Sequence, residues 1–145
     1  MTSPPPLHRF ARLLGTLSLA GCAIVTDSSD TPGVALEIVA SMNSADSVPA
    51  GITVTTQQVA VRGTFSTPCV SYGVTAGARQ TGQRLEITLS GRRNGELCAL
   101  AIGYYTYTAT VPSLPSGSTQ VIVRHRIEDA NWPVATVLDT TVVVP

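Results

Sequence analysis

Arg84–Val111 reads RLEITLSGRRNGELCALAIGYYTYTATV, and its patterning decides the fold. The first seven residues alternate, with Leu85, Ile87 and Leu89 in one phase and Glu86, Thr88 and Ser90 in the other. Successive side chains of a strand point to opposite faces, so this alternation marks a strand with one buried face. Arg93-Asn94-Gly95-Glu96 follows. Asn-Gly suits a type I′ turn, in which both central residues take φ > 0, and it predicts a hairpin joining Arg84–Ser90 to Cys98–Val111. In that second strand Leu100, Ile102 and Tyr104 share one face, and Tyr105 and Tyr107 the other.

The same grammar extends in both directions. Val, Thr, Ile and Tyr dominate from Val34 onward, and Gly, Pro, Asn and Ser punctuate at short intervals. The predicted strands are Val34–Ala40, Ile52–Phe65, Val70–Ala76, Arg84–Ser90, Cys98–Val111, Gln120–Ile127 and Val134–Val144. The second is bent or bulged near Val59–Gly63, where the apolar phase shifts. Gly77–Gly82 reads as a turn region. Nothing shows sustained helical periodicity. Seven short strands over about 110 residues predict an all-β, antiparallel two-sheet sandwich.

The N-terminus carries a different signal. His8, Arg9 and Arg12 precede a short apolar run, Leu13–Ala20, which is far below the ~20 residues a spanning helix needs. The run ends in Leu19-Ala20-Gly21-Cys22. This resembles the lipobox of bacterial lipoproteins. The resemblance implies that residues 1–21 are a removed signal peptide and that Cys22 carries a diacylglyceryl thioether, with an added acyl chain such as palmitate. Ala23, rather than Asp, follows the cysteine, which in a diderm cell implies the outer membrane. Residues 22–33 read as a polar tether of roughly 17–20 Å, and residues 34–145 as the domain.

Without residues 1–21 the chain has seven Arg, no Lys and nine Asp plus Glu. That balance gives no electrostatic case for nucleic acid. With Cys22 assigned to lipid, Cys69 and Cys98 remain as an even pair in an oxidising compartment and are expected to form a disulfide. A zinc site is disfavoured, because no His lies near either cysteine. No cofactor is expected.

Tyr105–Gly117 followed by Val121-Ile122-Val123 is similar to a fibronectin type III or related immunoglobulin-like domain, in which a strand ends in a Leu-Pro-x-Gly turn. Here that turn is Leu114-Pro115-Ser116-Gly117. The resemblance implies an immunoglobulin-like sandwich. The chain departs from it in having Ser118-Thr119 where a Tyr is common, and in carrying its one Trp, Trp132, late in the sequence.

No catalytic motif stands out. Gly-x-Ser-x-Gly is absent, and Asp27, Asp30 and Asp46 lack calcium-loop spacing. Arg124-His125-Arg126 with Glu128-Asp129 is the densest polar cluster, but alternation sends His125 to the face opposite both arginines. His125 is in phase with Val121 and Val123, which suits the edge of a core. Tyr105 and Tyr107 are either an exposed binding pair or cross-strand packing. Trp132, between Asn131 and Pro133, either presents an anchor or caps the sandwich. Arg92 and Arg93 sit at a predicted turn. The expected function is a lipid-anchored, non-enzymatic adhesion, scaffolding or recognition module of the cell envelope. Its binding surface would draw on Trp132, Tyr105, Tyr107, Arg92 and Arg93, with recognition through loops at one end, such as Ser66–Pro68, Arg92–Glu96 or Asp129–Pro133, or through an exposed sheet edge that accepts a strand. Its partner would be an envelope protein or a glycan. The alternatives are a secreted-protease inhibitor or accessory protein of an envelope complex, and an enzyme with a cryptic site.

Overall fold

The computed structural model describes residues 31–95, 97–98 and 101–145. They form an all-β sandwich of two four-stranded sheets. The strands are β1 (Ala35–Ser41), β2 (Gly51–Thr55), β3 (Gln58–Thr67), β4 (Tyr72–Thr81), β5 (Arg84–Arg93), β6 (Gly103–Val111), β7 (Gly117–Ile127) and β8 (Ala135–Val144). One sheet has the order β1-β6-β3-β2, the other β4-β5-β7-β8. No described residue is in an α-helix; a 3-10 turn occupies Ser44–Asp46.

The register shows how the chain builds both layers. β3 pairs with β6 from Val59↔Val111 to Thr67↔Gly103. β4 pairs with β5 from Tyr72↔Arg93 to Thr81↔Arg84. These are two stretches of one long hairpin whose tip is Gly82-Gln83. At its middle both arms cross from one sheet to the other, so the hairpin folds over on itself. The inward phase of each arm then meets across the sandwich. Val59, Val61, Phe65, Tyr107, Ala109 and Val111 face Leu85, Ile87, Leu89, Val121 and Val123, and all of them are buried. Ordinary burial energetics, ~25 cal/mol per Å² of apolar surface, make this interface the main source of stability.

Four expectations need correction. Asn94-Gly95 closes no hairpin, because β5 and β6 lie in different sheets. Gly95 has φ +93° but Asn94 does not have positive φ, and the Asn94 N–H donates to Ser71 O at 2.7 Å instead. The segment is a sheet-to-sheet crossover. Second, Ile52–Phe65 is not one bent strand. It reverses at Thr56-Gln57, where Gln57 takes φ +57°, and divides into β2 and β3, giving eight strands among the described residues. Third, most of Gly77–Gly82 is strand, and the turn is Gly82-Gln83, with Gly82 at φ +56°. Positive φ at the first central residue of a two-residue loop is the type II′ arrangement, for which glycine is suited. Fourth, one pair is parallel, β5 with β7. β6 lies in the other sheet, so β7 returns beside β5 in the same direction.

The two ends of the sandwich differ. At one lie the short turns Thr56-Gln57 and Gly82-Gln83, the segment 112–116, the lead-in to β1 and the end of β8. At the other lie the three longest connections, 42–50, 94–102 and 128–134, together with the crossover 68–71.

Candidate functional site: the disulfide pole

The pole with the long connections is tied by covalent and polar bonds. Cys69, in the β3–β4 crossover, is disulfide-bonded to Cys98, in the β5–β6 crossover, with their Cα atoms 5.6 Å apart. Both crossovers stand at the corner where the long hairpin changes sheets. Tyr105 braces the same corner. Its hydroxyl donates to carbonyl oxygens of this segment, Val70 O at 2.9 Å and Tyr72 O at 3.0 Å, and accepts from Tyr72 N–H at 3.4 Å. Thr67 Oγ1 donates to Cys69 O at 2.7 Å. A crossover cannot use ladder hydrogen bonds, so its buried backbone groups need side-chain partners of this kind.

The β7–β8 connection is held to the same corner. Asp129 Oδ2 accepts from the Arg93 N–H at 2.9 Å, and the Glu128 N–H donates to Gly91 O at 3.0 Å. Asp129 is exposed, and the slight desolvation it meets against the corner would by itself raise its pKa. The Arg93 N–H, the Tyr72 hydroxyl and the Arg93 charge outweigh it and hold the carboxyl below its usual range. Burial, then the facing Asp129, pushes the Tyr72 hydroxyl up.

The stretches Ser66–Pro68, Arg92–Glu96 and Asp129–Pro133 all reach one pole, but Ser66 and Thr67 close β3, and Arg92 and Arg93 close β5 in register with β4 rather than forming a turn; Glu96 itself is outside the described residues. Arg92 and Arg93 are exposed there, and Trp132 is 46 % exposed. Tyr105 and Tyr107 do not belong to the surface: they are 7 % and 1 % exposed, turned inward by the β6 pleat. Cys22, Asp27 and Asp30 lie outside the described residues, as do Leu100 and the proposed signal peptide. Among the described residues no group of His, Cys, Asp or Glu is placed to hold a metal ion.

Sequence reasoning missed an apolar contribution. Met42, Leu97, Ile102 and Val134 are all exposed at this pole, beside Trp132. A concavity of about 200 Å³ lies between Ala40, Ser41, Met42, Val70, Gly103 and Tyr105. Single exposed apolar residues are unremarkable, but several at one end point to contact with another molecule. Only the fold gathers them, because they come from three separate connections.

His125 sits inside, next to the pole. Its Nε2 is 3.1 Å from the Tyr107 hydroxyl, and its ring meets Phe65 edge-on with centroids 4.9 Å apart. Burial pulls its pKa from 6.5 down to about 4 and pushes that of Tyr107 up to about 12. Between pH 6.5 and 4, an unfolded chain therefore takes up a proton that the folded one refuses. Stability is complete above pH 6.5 and falls as pH drops through this window. The ceiling is ~1.4 kcal/mol per pH unit, and solvent reaching the half-buried ring reduces the total to about 2 kcal/mol. Urea unfolding at pH 7 and pH 4.5 will show this loss in the wild type and a flatter response in His125→Gln. Equal losses in both proteins would assign the acid sensitivity elsewhere.

Comparison with known families adds one finding. The model of the ORF11 beta-sandwich domain matches residues 59–133. That span covers just over half of the chain, the folded-over hairpin and β7 together with Trp132. No curated protein and no solved structure gives a match. The chain therefore belongs to the family of the ORF11 beta-sandwich domain.

Proposed function

We propose that this protein is a lipid-anchored component of the bacterial cell envelope whose sandwich is a non-catalytic recognition module, with the disulfide pole as its binding surface. The carrying observation is the polarity of the fold. The lead-in Thr31–Gly33 joins the end with the short turns, where it lines a concavity with Gln57, Gly82 and Pro115. The long connections and the exposed Met42, Ile102 and Trp132 stand at the far end. A lipid on Cys22 would therefore hold the short-turn end at the bilayer. Strands of ten residues span roughly 30 Å, so strand and tether together would let the disulfide pole reach up to roughly 50 Å outward. A surface built of loops on a rigid sandwich is a common way to present a binding site.

Leu97 favours a second reading. It precedes the bridged Cys98 and is 87 % exposed. An apolar side chain on a connection closed by a disulfide suits insertion into a cleft, as an inhibitor of a secreted protease requires.

The test is photo-crosslinking in cells from Ile102 or Trp132, with the same crosslinker at Thr55 as the opposite-pole control and Cys22→Ser as the mislocalised control. One partner captured from the disulfide pole alone, and lost with Cys22→Ser, is the expected result. Equal capture from both poles would remove the proposed polarity. Capture of a protease, with inhibition abolished by Leu97→Ala, would select the second reading.

A further inference from the structure

The outer face of the β4-β5-β7-β8 sheet carries an uneven charge. Arg79, Arg84, Arg124 and Arg126 all lie on it, four of the seven arginines beyond residue 30. Register places Arg79 opposite Glu86, and Arg124 and Arg126 at successive outward positions of β7. Glu86 is shared: it is 3.1 Å from Arg124 and 3.7 Å from Arg84. The other carboxylate on this face, Asp139, accepts from the Gln120 amide at 2.8 Å. Two carboxylates, Glu86 and Asp139, against four guanidiniums leave positive charge unneutralised. Arg124 Nε, moreover, is buried with no hydrogen-bond partner.

Two shallow depressions flank Arg84. One, about 290 Å³, is lined by Arg79, Thr81, Arg84 and Glu86. The other, about 300 Å³, includes Arg84, Gln83, Ser118 and Gln120. Guanidinium, hydroxyl and amide donors in this arrangement suit phosphate oxygens, which Arg binds with two parallel N–H groups. The neighbourhood also matters. Thr31, Pro32 and Gly33 border the same concavity as Gln80 and Gly82, next to Arg79 and Thr81. The arginines thus begin where the N-terminal segment meets the domain.

We infer that this face is a binding site for the phosphate headgroups of anionic lipid. It draws the short-turn end of that sheet, with Arg79 and Arg84, to the bilayer surface and adds an electrostatic contact to the lipid anchor. The choice of lipid over a soluble polyanion rests on the anchor reading above, which keeps the end of the domain bordered by Thr31–Gly33 within tether reach of the headgroups. Arg79 and Arg84, beside the N-terminal segment, meet the headgroup phosphates first, and Arg124 and Arg126 lie farther along the same face. Each basic group near such a surface strengthens binding about fivefold, and the effect fades with salt.

The test uses the polypeptide Ala23–Pro145 without its lipid, which holds every strand and every core residue. Co-sedimentation is measured with vesicles of phosphatidylcholine alone and with 30 mol% phosphatidylglycerol. Retention on the anionic vesicles at 50 mM salt and release at 300 mM salt are expected. Arg79→Gln with Arg84→Gln is expected to weaken retention roughly thirtyfold. Glu86→Gln, which removes the competing carboxylate, should strengthen it, and Arg92→Gln with Arg93→Gln at the other pole should leave it unchanged. Equal retention on both vesicle types, or equal weakening by the two double variants, would overturn the inference. Binding of soluble polyphosphate without vesicle retention would overturn the lipid and leave a soluble polyanion. Palmitate labelling of the full chain reports on the anchor separately, so the two ideas can fail independently.

Discussion

Replacing both bridged cysteines, Cys69→Ala with Cys98→Ala, is expected to cost about 3–4 kcal/mol and to lower the melting temperature by roughly 15 °C. The two residues are 29 positions apart in sequence. Closing a loop of about that length removes ~3.6 kcal/mol of conformational freedom from the unfolded chain. The loss arises mainly in the unfolded state, so circular dichroism of the variant at low temperature should remain that of a β protein. The native contribution is the corner itself. Tyr105 ties the same crossover through three hydrogen bonds, and Tyr105→Phe removes them for about 1–3 kcal/mol. Disulfide and tyrosine restrain one segment, so the combined loss should differ from the sum of the separate ones by more than 0.5 kcal/mol. Melting with and without reductant checks the first point, and a triple variant checks the second. A shift below about 3 °C on reduction would show that the corner holds without its bridge.

What could be read from the sequence follows the range of the interaction. Leu85, Ile87 and Leu89 were legible as a buried face because alternation is local. The strand at Gln120–Ile127 was legible for the same reason, as was the bridge between the only two cysteines beyond Cys22. Pairing is not local. Asn94-Gly95 has the chemistry of a tight turn, yet nothing in four residues says which sheet the next strand will join. The real reversal at Thr56-Gln57 carries neither glycine nor proline, and Gln57 accepts φ +57° because the pairing of β2 with β3 demands it. Its one trace in the sequence was the shift of apolar phase near Val59, which a bend explains equally well.

The candidate pole shows the same division. Trp132 and Arg92-Arg93 stood out as residue types, and their loops do converge. Tyr105 and Tyr107 stood out too, but alternation could not say which phase of Cys98–Val111 faced the core. Apolar residues in both phases made the strand ambiguous. Their burial also has a consequence for the site: Tyr105 serves it as a brace, holding the crossover that carries Val70 and Cys69. Met42 and Ile102 were invisible as a pair, since only the antiparallel pairing of β1 with β6 sets Ser41 opposite Tyr104 and brings the two ends together.

Phe65→Ala should be the most damaging single substitution in the core, at about 3–5 kcal/mol. Phe65 is fully buried and projects from β3 onto β5 and β7 of the opposite sheet. Gly91 receives it. A Cβ there would stand 2.7 Å from Phe65 Cε1 and 3.1 Å from Ile127 Cδ1, so the ring occupies the space a side chain would need. Its other side meets the edge of His125. The ring therefore fills a hole made by one glycine, and its loss leaves a cavity that β5 and β7 cannot close without breaking their parallel ladder. Gly91→Ala alone should cost about 1–3 kcal/mol by overpacking. In a Phe65→Leu background, the smaller side chain leaves room, so the same alanine should cost at least 1 kcal/mol less. Urea unfolding of the four proteins measures this coupling. Additivity within 0.5 kcal/mol would mean that ring and glycine are independent. Coupling of the expected sign would show that the pole is braced from inside, because Gly91 O holds the Glu128 N–H at the start of the connection that presents Trp132.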